Sequence, residues 1–252
     1  MGELRDGAAE VPGEAGLGAA ARLLWEPQPQ PARGPKRALS LERIARAGIE
    51  IAESDGLAAL TMQRVAALVG VTKMALYRYV PGRAELVALM VESALGEAPA
   101  PDPEGTGWRD RLDAWARHMA EVFRRHPWLL DATVGPRVLG PRELAWMERA
   151  LAALDATGLT GAERMDAVVL LAGHVRGIVQ QSRAAGPEPG GPEAQLGATM
   201  GALMRVHGER YPAVRAALAS VAQDGGQDQA LEFGLARILD GLGLLIDGRS
   251  AG

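Results

Sequence analysis

Residues 61–83 read TMQRVAALVGVTKMALYRYVPGR and predict two short helices joined by a tight turn. Thr61 is of a type that caps helix N-termini, and the first helix, residues 62–69, has one apolar side. Gly70 tolerates the positive φ that a helix-ending turn requires. The second helix, residues 73–80, follows a capping threonine and ends at a Pro-Gly pair. The order of these elements is that of a helix-turn-helix unit.

The second helix has an apolar side and a basic, aromatic side. Leu76 and Val80 are suited to a core, and the outward residues are Lys73, Met74, Tyr77 and Arg78. Such a face on a helix that opens at a tight turn suits the major groove of DNA, where base edges and phosphates are both within reach. Two helices that merely pack together produce the same pattern, which leaves that alternative open at this point.

Charge is distributed unevenly along the chain. The 252 residues include 27 basic and 31 acidic side chains, for a net charge of −4. Residues 33–83 hold nine basic and four acidic residues (+5), and the remainder holds 18 and 27 (−9). Both lysines, Lys36 and Lys73, lie in the basic segment. A basic segment on an acidic body is typical of a protein that presents one face to DNA.

The sequence around the two helices resembles the TetR (tetracycline repressor-like, TetR/AcrR) family of bacterial transcriptional regulators. The resemblance extends from residue 40 to residue 90, and its most specific motifs are Val65-Ala66, Gly70-Val71, Leu76-Tyr77-Arg78-Tyr79-Val80 and Arg83. It implies an all-α protein with an N-terminal helix-turn-helix DNA-binding domain. A C-terminal helical domain for ligand binding and dimerisation would follow.

The resemblance also implies a function and a set of DNA contacts. The protein would be a ligand-responsive repressor that binds a palindromic double-stranded DNA operator as a homodimer and is released by a small apolar effector. The family's DNA-contacting positions correspond to Thr61, Gln63, Lys73, Met74, Tyr77, Tyr79 and Arg83. Gln63 and Lys73 would reach base edges, and the threonine, the two tyrosines and Arg83 would hold phosphates. The alternative, a helical adaptor that binds only protein, leaves the basic, tyrosine-bearing helix unexplained.

Composition predicts three regions. Residues 1–37 are rich in Ala, Gly, Pro and Glu and predict a flexible tail. Its basic arm, residues 33–37, suits a minor groove or a phosphate backbone, and equally a solvated charge cluster. Residues 38–96 predict the DNA-binding domain. Prolines after residue 96 mark a boundary, and residues 104–247 predict the helical effector-binding and dimerisation domain.

Two helices of the C-terminal region, at about 161–185 and 228–247, are apolar around much of their circumference. They contain small residues, among them Gly173 and Gly177, that allow close helix approach. The resemblance implies that they pair with the same helices of a second subunit. Packing within one chain is the alternative.

Most of the tryptophans lie between residues 108 and 147, together with several methionines. Most of these side chains are expected to pack a core, but the resemblance implies that the same helices surround an effector pocket. The candidate wall residues are Trp115, Met119, Trp128, Trp146 and Met147, and the candidate polar anchors are His118 and His174. Each of them has an alternative role as an ordinary packed or surface residue.

Other functional classes find little support. The chain has no cysteine, which excludes disulfides, thiolate catalysis and cysteine zinc sites. Its histidines lack metal-binding spacing, and the sequence contains neither a nucleophile motif nor a phosphate-binding loop. We therefore expect that the protein is not an enzyme and that it binds neither a cofactor nor a metal. No apolar run approaches the ~18 residues of a membrane span, and no signal peptide opens the chain. We therefore expect a cytoplasmic protein without membrane contact.

Overall fold

The computed structural model of the chain describes residues 14–26, 39–100, 103, 105–185, 191–224 and 229–250. These residues form α-helices and one 3-10 turn and contain no β-strand, as predicted. The basic arm at residues 33–37 lies outside the described residues. The helices are α1 (Glu14–Trp25), α2 (Leu41–Asp55), α3 (Met62–Val69), α4 (Lys73–Tyr77), α5 (Arg83–Leu95), α6 (Trp108–Arg125), α7 (Leu129–Ala132), α8 (Pro141–Ala153), α9 (Gly161–Ala185), α10 (Gly191–His207), α11 (Pro212–Asp224) and α12 (Ala230–Ser250), with the 3-10 turn at Leu57–Ala59.

The chain divides into two compact units. The first comprises the described residues up to Ala98 together with Asp131–Ala145. The second comprises Pro99–Leu130 and the described residues from Trp146 onward. The proline-rich boundary lies where the first unit ends. The return of Asp131–Ala145 to that unit depends on long-range contacts and is not predicted by composition.

The core of the first unit lies between α2, α3, α4 and α5. Ile44 on α2 is fully buried against this core, as are Val65, Leu76 and Leu86 from the other three helices. Ser40 caps α2 by accepting a hydrogen bond from the backbone N–H of Arg43 at 3.2 Å. The apolar side of each of these helices is therefore the side that packs, as predicted for α3 and α4.

Helix α1 contradicts part of the predicted flexible tail. Ala20 and Leu23 on α1 are buried, and α1 packs against α5. The indole N–H of Trp25 donates to the carbonyl oxygen of Leu139 at 3.0 Å. Burial of apolar surface and this hydrogen bond offset the entropy lost on ordering a segment whose composition predicts mobility.

A buried carboxylate joins α5 to the start of α8 within the first unit. Glu92 accepts hydrogen bonds from the backbone N–H groups of Arg142 at 3.0 Å and Glu143 at 3.2 Å. A carboxylate at a helix N-terminus is stabilised by the helix dipole and satisfies otherwise unpaired donors. Gly140 permits this approach, since a Cβ atom there would overlap the Glu92 carboxyl group.

We expect Gly140→Ala to lower the free energy of unfolding by about 1–3 kcal/mol. The added methyl group would displace Glu92 and weaken its two bonds to α8. Chemical denaturation followed by circular dichroism measures the change. Gly161→Ala is the matched control, because nothing lies within 4 Å of a Cβ atom at that position. Equal stability of the two variants would contradict the proposed close contact.

The second unit packs α6, α9 and α12 against one another. Leu112, Leu171 and Leu235, one from each helix, are fully buried. Helix α11 had not been predicted.

Two helices are rotated relative to the sequence prediction. Apolar spacing predicts that the last helix buries Leu231, Leu235, Ile238, Leu242 and Leu245, and that the helix opened by Pro141 buries Leu144, Met147, Leu151 and Leu154. Apart from Leu231 and Leu235, which are buried as predicted, the buried residues of α12 are Leu239 and Ile246, whereas Leu245 is exposed. On α8, Leu144 is exposed and Trp146 is buried. Apolar residues on several sides of a helix leave its buried side undetermined by periodicity.

Helix α9 begins with a capping box. The backbone N–H of Thr160 donates to the Glu163 carboxylate at 2.8 Å, and the N–H of Glu163 donates to the Thr160 hydroxyl at 3.3 Å. These bonds from Thr160, aided by the Arg249 guanidinium, lower the pKa of Glu163 from its ordinary value. No described helix is long and apolar enough to cross a bilayer.

The cap is expected to make stability depend on pH. Because the folded state lowers the pKa of Glu163, the cap stabilises the fold above the ordinary carboxyl pKa of 4.5 and loses this effect as the pH falls through the folded value. Thermal unfolding at several pH values should show that Glu163→Gln is less stable than the unmodified chain near neutrality and approaches it in acid. Glu148→Gln, which removes an exposed carboxylate from α8, should show no such convergence.

Candidate functional site

The turn between α3 and α4 has the geometry expected of a helix-turn-helix unit. Gly70 is in the left-handed conformation (φ 73°, ψ 35°), and the N–H of Val71 donates to the carbonyl oxygen of Ala66 at 2.9 Å. The hydroxyl groups of Thr61 and Thr72 accept hydrogen bonds from backbone N–H groups at the starts of α3 and α4, each at 3.2 Å. Both ends of the turn are therefore fixed by local bonds.

Helix α4 is shorter than predicted, but the chain continues to turn after it. Leu76 and Val80 are fully buried, and the N–H groups of Tyr79 and Val80 donate to the Leu76 carbonyl, both at 3.0 Å. The outward face is formed by Lys73, by Met74, which is 75% exposed, and by Tyr79.

The predicted DNA-contacting residues share one unit of the fold. Lys73 places its ammonium group 5.6 Å from the ring centroid of the half-buried Tyr77, which orients the cation along the outward face. Gln63 on α3 is exposed. Thr61 is exposed, but its hydroxyl already serves as the α3 cap. We call the outward surface of α4 and its following turn, residues 73–79, the reading surface.

Several arginines near the reading surface are bound within the chain. Arg43 donates to the carbonyl oxygen of Val69 at 2.8 Å, which ties α2 to the end of α3. Arg64 donates to the Ala59 carbonyl at 3.3 Å and pairs with Asp55. These two basic side chains hold the helices in place.

Arg83 has an intrachain role that the sequence did not predict. Its Nε donates to the Leu60 carbonyl at 3.1 Å and its Nη2 to the Leu57 carbonyl at 2.9 Å. These carbonyl groups offset the unfavourable position of a cation at the start of α5. A phosphate contact through its remaining donors stays a prediction, but the bonds present fix α5 to the 3-10 turn.

Arg78 was not among the predicted DNA contacts. Its side chain is exposed, and neither that side chain nor the side chain of Lys73 forms a hydrogen bond or ion pair with the described residues. The reading surface thus carries two cations, and no described residue forms an ion pair with either of them. In the sequence, the outward position of Arg78 on the predicted second helix was the signal that could have marked it as a DNA contact.

The predicted effector pocket residues lie in the second unit, where the three candidate tryptophans are buried. Trp115, Trp128 and Trp146 are side chains of the core. The indole N–H of Trp115 donates to the carbonyl oxygen of Trp146 at 2.8 Å, which joins α6 to α8. Met119 and Met147 are half-buried. These tryptophans are therefore part of the packed core of the second unit.

His174 is used in packing helices. One ring nitrogen lies 3.2 Å from the carbonyl oxygen of Leu231, and the ring occupies the space that a side chain at position 234 would fill. Gly234 is thus required for the close contact between α9 and α12. This contact with the Leu231 carbonyl and the packing against Gly234 explain the position of His174 without a bound ligand.

Two predicted pocket residues do line a cleft. Trp115 and His118 border a cleft of ≈ 330 Å³ in the second unit, together with residues from the segment before α6 and from α8. We call this the α6–α8 cleft. Its other lining residues are Pro99, Ala100, Pro103, Arg111, Ala114 and Arg149.

Helices α9 and α12 each present an exposed apolar face. On α9, Val169 is 64% exposed, and Leu170 lies beside it. On α12, Phe233 and Leu244 are 65% and 77% exposed. Adjacent apolar faces of this kind are typical of a protein interface. Among the described residues, no group of three or more His, Asp or Glu side chains is placed to hold a metal ion.

Comparison with known proteins gives a consistent result along the chain. The family described as bacterial regulatory proteins, tetR family, matches residues 44–90. The tetracyclin repressor-like C-terminal domain matches residues 100–246.

Individual relatives match most of the chain. The HTH-type transcriptional repressor DrrR1 of Streptomyces coeruleorubidus is 36% identical over 251 residues, which cover 96% of this chain and 91% of the relative. An HTH-type transcriptional regulator of Saccharopolyspora erythraea is 26% identical, with 84% of this chain and 87% of the relative covered. The solved structure of the TetR family protein ActR of Streptomyces coelicolor in complex with actinorhodin has a TM-score of 0.67 and 26% identity, and the match covers 81% of this chain and 97% of that one.

Proposed function

Because the chain belongs to the TetR family of bacterial transcriptional regulators, we propose that it represses transcription from a palindromic operator that it binds as a homodimer. It is a ligand-responsive DNA-binding protein, and we propose that a small molecule bound in the second unit releases it from DNA. The operator lies in the cytoplasm, where we expect the protein to act.

The observation that carries the proposal is the reading surface itself. It combines a tight glycine turn, two capped helices and two exposed cations without intrachain ion pairs to the described residues. In the major groove, Lys73 would donate to guanine acceptors, and Gln63 would reach a base edge. Tyr77, Tyr79 and Arg78 would contact phosphates and set the register, with Thr61 and Arg83 at its margin. Met74 would contribute an apolar contact to a base.

The apolar faces of α9 and α12 support a homodimer. Two copies that pair these faces would bury their exposed leucine, valine and phenylalanine side chains in a four-helix interface. The two reading surfaces would then bind half-sites about one to one and a half turns of DNA apart. Packing of the faces within one chain loses support, since they are exposed.

A route for the ligand signal is provided by α8. Its first residues are bound by Glu92 of α5, and its later residues, including Trp146 and Arg149, belong to the second unit. A ligand that shifts α8 would also move α5. That movement would change the distance between the two reading surfaces of the dimer. A coupling of about 1–3 kcal/mol is typical of such regulation.

Selection of binding sequences from randomised duplex DNA by the purified protein, at several salt concentrations, tests the proposal. We expect an inverted repeat whose affinity falls steeply with salt, because phosphate contacts release counterions. Absence of enrichment, with only weak binding at low salt, would instead favour a helical adaptor that binds protein. The relatives, which are transcriptional regulators and not enzymes, do not favour that alternative.

A further inference from the structure

We propose that a cavity in the first unit, between α5 and residues 131–143, binds a small neutral molecule with one or two apolar rings. We call it the α5 cavity. The site goes beyond the proposed function, because the effector of that proposal binds in the second unit. Every described residue that lines the α5 cavity belongs to the first unit, which also carries the reading surface.

The first argument is the size of the cavity. Its volume is ≈ 250 Å³. Side chains in protein interiors leave few voids larger than a water molecule, whereas an apolar cavity of about 150 Å³ holds one benzene molecule. The α5 cavity is therefore large enough for a fused pair of rings. Two of its lining residues, Ala84 and Asp131, are exposed, so a ligand can enter from the surface.

The second argument is the apolar wall that α5 supplies. Four lining residues recur at the spacing of one helix face, and they are Ala84, Val87, Ala88 and Val91. Leu86, on another side of the helix, is fully buried in the core of the unit. Helix α5 thus has one face in the core and a second apolar face at the cavity.

A second wall is also aliphatic. Ala132 and Val138 line the cavity from the segment between α7 and α8, and Leu57 lines it from the 3-10 turn. Water gains few hydrogen bonds from such walls, and an apolar ligand gains about 25 cal/mol for each Å² that leaves water. Rigid rings are favoured over a flexible chain, because they lose less conformational entropy on binding.

The third argument concerns the charged side chains of the cavity, which already have partners in the chain. Arg83 donates to two backbone carbonyl groups, Arg137 is paired with Glu143, and Glu92 accepts two backbone N–H bonds. Asp131 also has an interaction within the chain. A charged ligand would lose its hydration and would have to displace one of these partners. A neutral ligand leaves them in place.

The position of the cavity allows its occupant to act on α5. Glu92 and Gly140 line it, and their contact joins α5 to the start of α8. Arg83, whose bonds fix α5 to the 3-10 turn, lines it as well. A bound molecule would therefore stabilise the arrangement of α5 and residues 131–143 that forms the cavity.

Quinoline, which is neutral at physiological pH and has two fused rings, is the probe for the full-length protein. N-methylquinolinium and 2-naphthoate are its cationic and anionic analogues. Titration calorimetry should show saturable binding of quinoline, with a dissociation constant roughly tenfold or more lower than that of either analogue. Hydrogen exchange in α5 and in residues 131–143 should slow when quinoline is bound.

Two variants fill the cavity from different walls. Ala88→Leu and Ala132→Leu should each weaken quinoline binding by roughly tenfold or more, because the added atoms occupy the space of the ligand. Ala145→Leu adds the same atoms at an exposed position of α8 that is not among the lining residues, and it should leave the affinity unchanged. Circular dichroism of each variant checks that it folds.

Four results would overturn the inference. They are the absence of saturable quinoline binding, equal affinity for a charged analogue, unchanged affinity in both cavity-filling variants, and slowed exchange confined to the second unit. Selection of operator sequences is a separate measurement. A protein that enriches an operator but does not bind quinoline would refute only this inference, and one that binds quinoline in the α5 cavity but enriches no operator would refute only the proposed function.

Discussion

Aspartate at both Val169 and Leu244 is expected to split the proposed homodimer into monomers. These side chains belong to the exposed apolar faces of α9 and α12, and a stable dimer typically buries about 800 Å² of each subunit. Two charges per subunit in that interface would be desolvated without partners, which costs several kcal/mol and weakens association by roughly a thousandfold or more. Analytical ultracentrifugation at micromolar protein measures the change directly.

The same substitution is expected to abolish high-affinity operator binding. Each monomer would bind only one half-site. The gain in affinity that a dimer obtains by binding both half-sites of a palindrome at once would therefore be lost. Gly177→Asp on α9 should act in the same direction, because no described atom lies within 4 Å of a Cβ atom there and a partner helix can approach closely.

Val134→Asp is the matched control for these variants. Val134 is an exposed valine in the first unit, away from α9 and α12 in sequence, and its replacement adds the same charge. It should leave the dimer intact. Dimers that persist in the Val169→Asp, Leu244→Asp double variant would show that the two faces are not the interface.

Lys73→Ala is expected to weaken operator binding while leaving the dimer unchanged. A lysine that contacts a base contributes about 1–3 kcal/mol per half-site, so a symmetric dimer should lose about 2–6 kcal/mol, which is roughly thirty-fold to more than ten-thousand-fold in affinity. The variant should also relax the sequence preference at one position of each half-site. Fluorescence anisotropy with the selected operator, and with single-base variants of it, measures both effects.

Two comparisons make this prediction specific. Arg124→Ala removes one exposed charge from α6 and should change operator affinity little, which separates a local contact from an effect of net charge. Tyr77→Ala should also weaken binding, but evenly across operator variants, because a phosphate contact does not distinguish bases. Unchanged affinity in both Lys73→Ala and Tyr77→Ala would mean that α4 is not the reading helix.

The local elements of the first unit were predictable because their signals are contained within short segments. The α3–α4 turn depends on Gly70 and two capping threonines. Helix α1 was missed because its stabilising contacts, such as that of Trp25 with Leu139, join residues far apart in the chain. Composition describes only the average polarity of a segment. It does not reveal whether a distant part of the chain provides a surface on which a short helix can pack.

The candidate ligand site was only partly predictable for a similar reason. Aromatic residues in the middle of the chain suggested a pocket, but Trp128 and Trp146 are buried in the core and His174 packs against Gly234. Arg111 and Arg149 are separated by more than thirty positions and look like ordinary surface charges in the sequence. Only the fold brings them to the same cleft.

The contact between Gly140 and Glu92 has a consequence for how relatives of this protein diverge. A side chain larger than hydrogen at position 140 displaces the Glu92 carboxylate and lowers stability unless position 92 becomes shorter, so the two positions are expected to change together. A shorter residue at 92 would in turn leave the start of α8 without its cap, which favours a new capping residue at or next to position 140. Substitutions at these sites should therefore be correlated among homologous sequences.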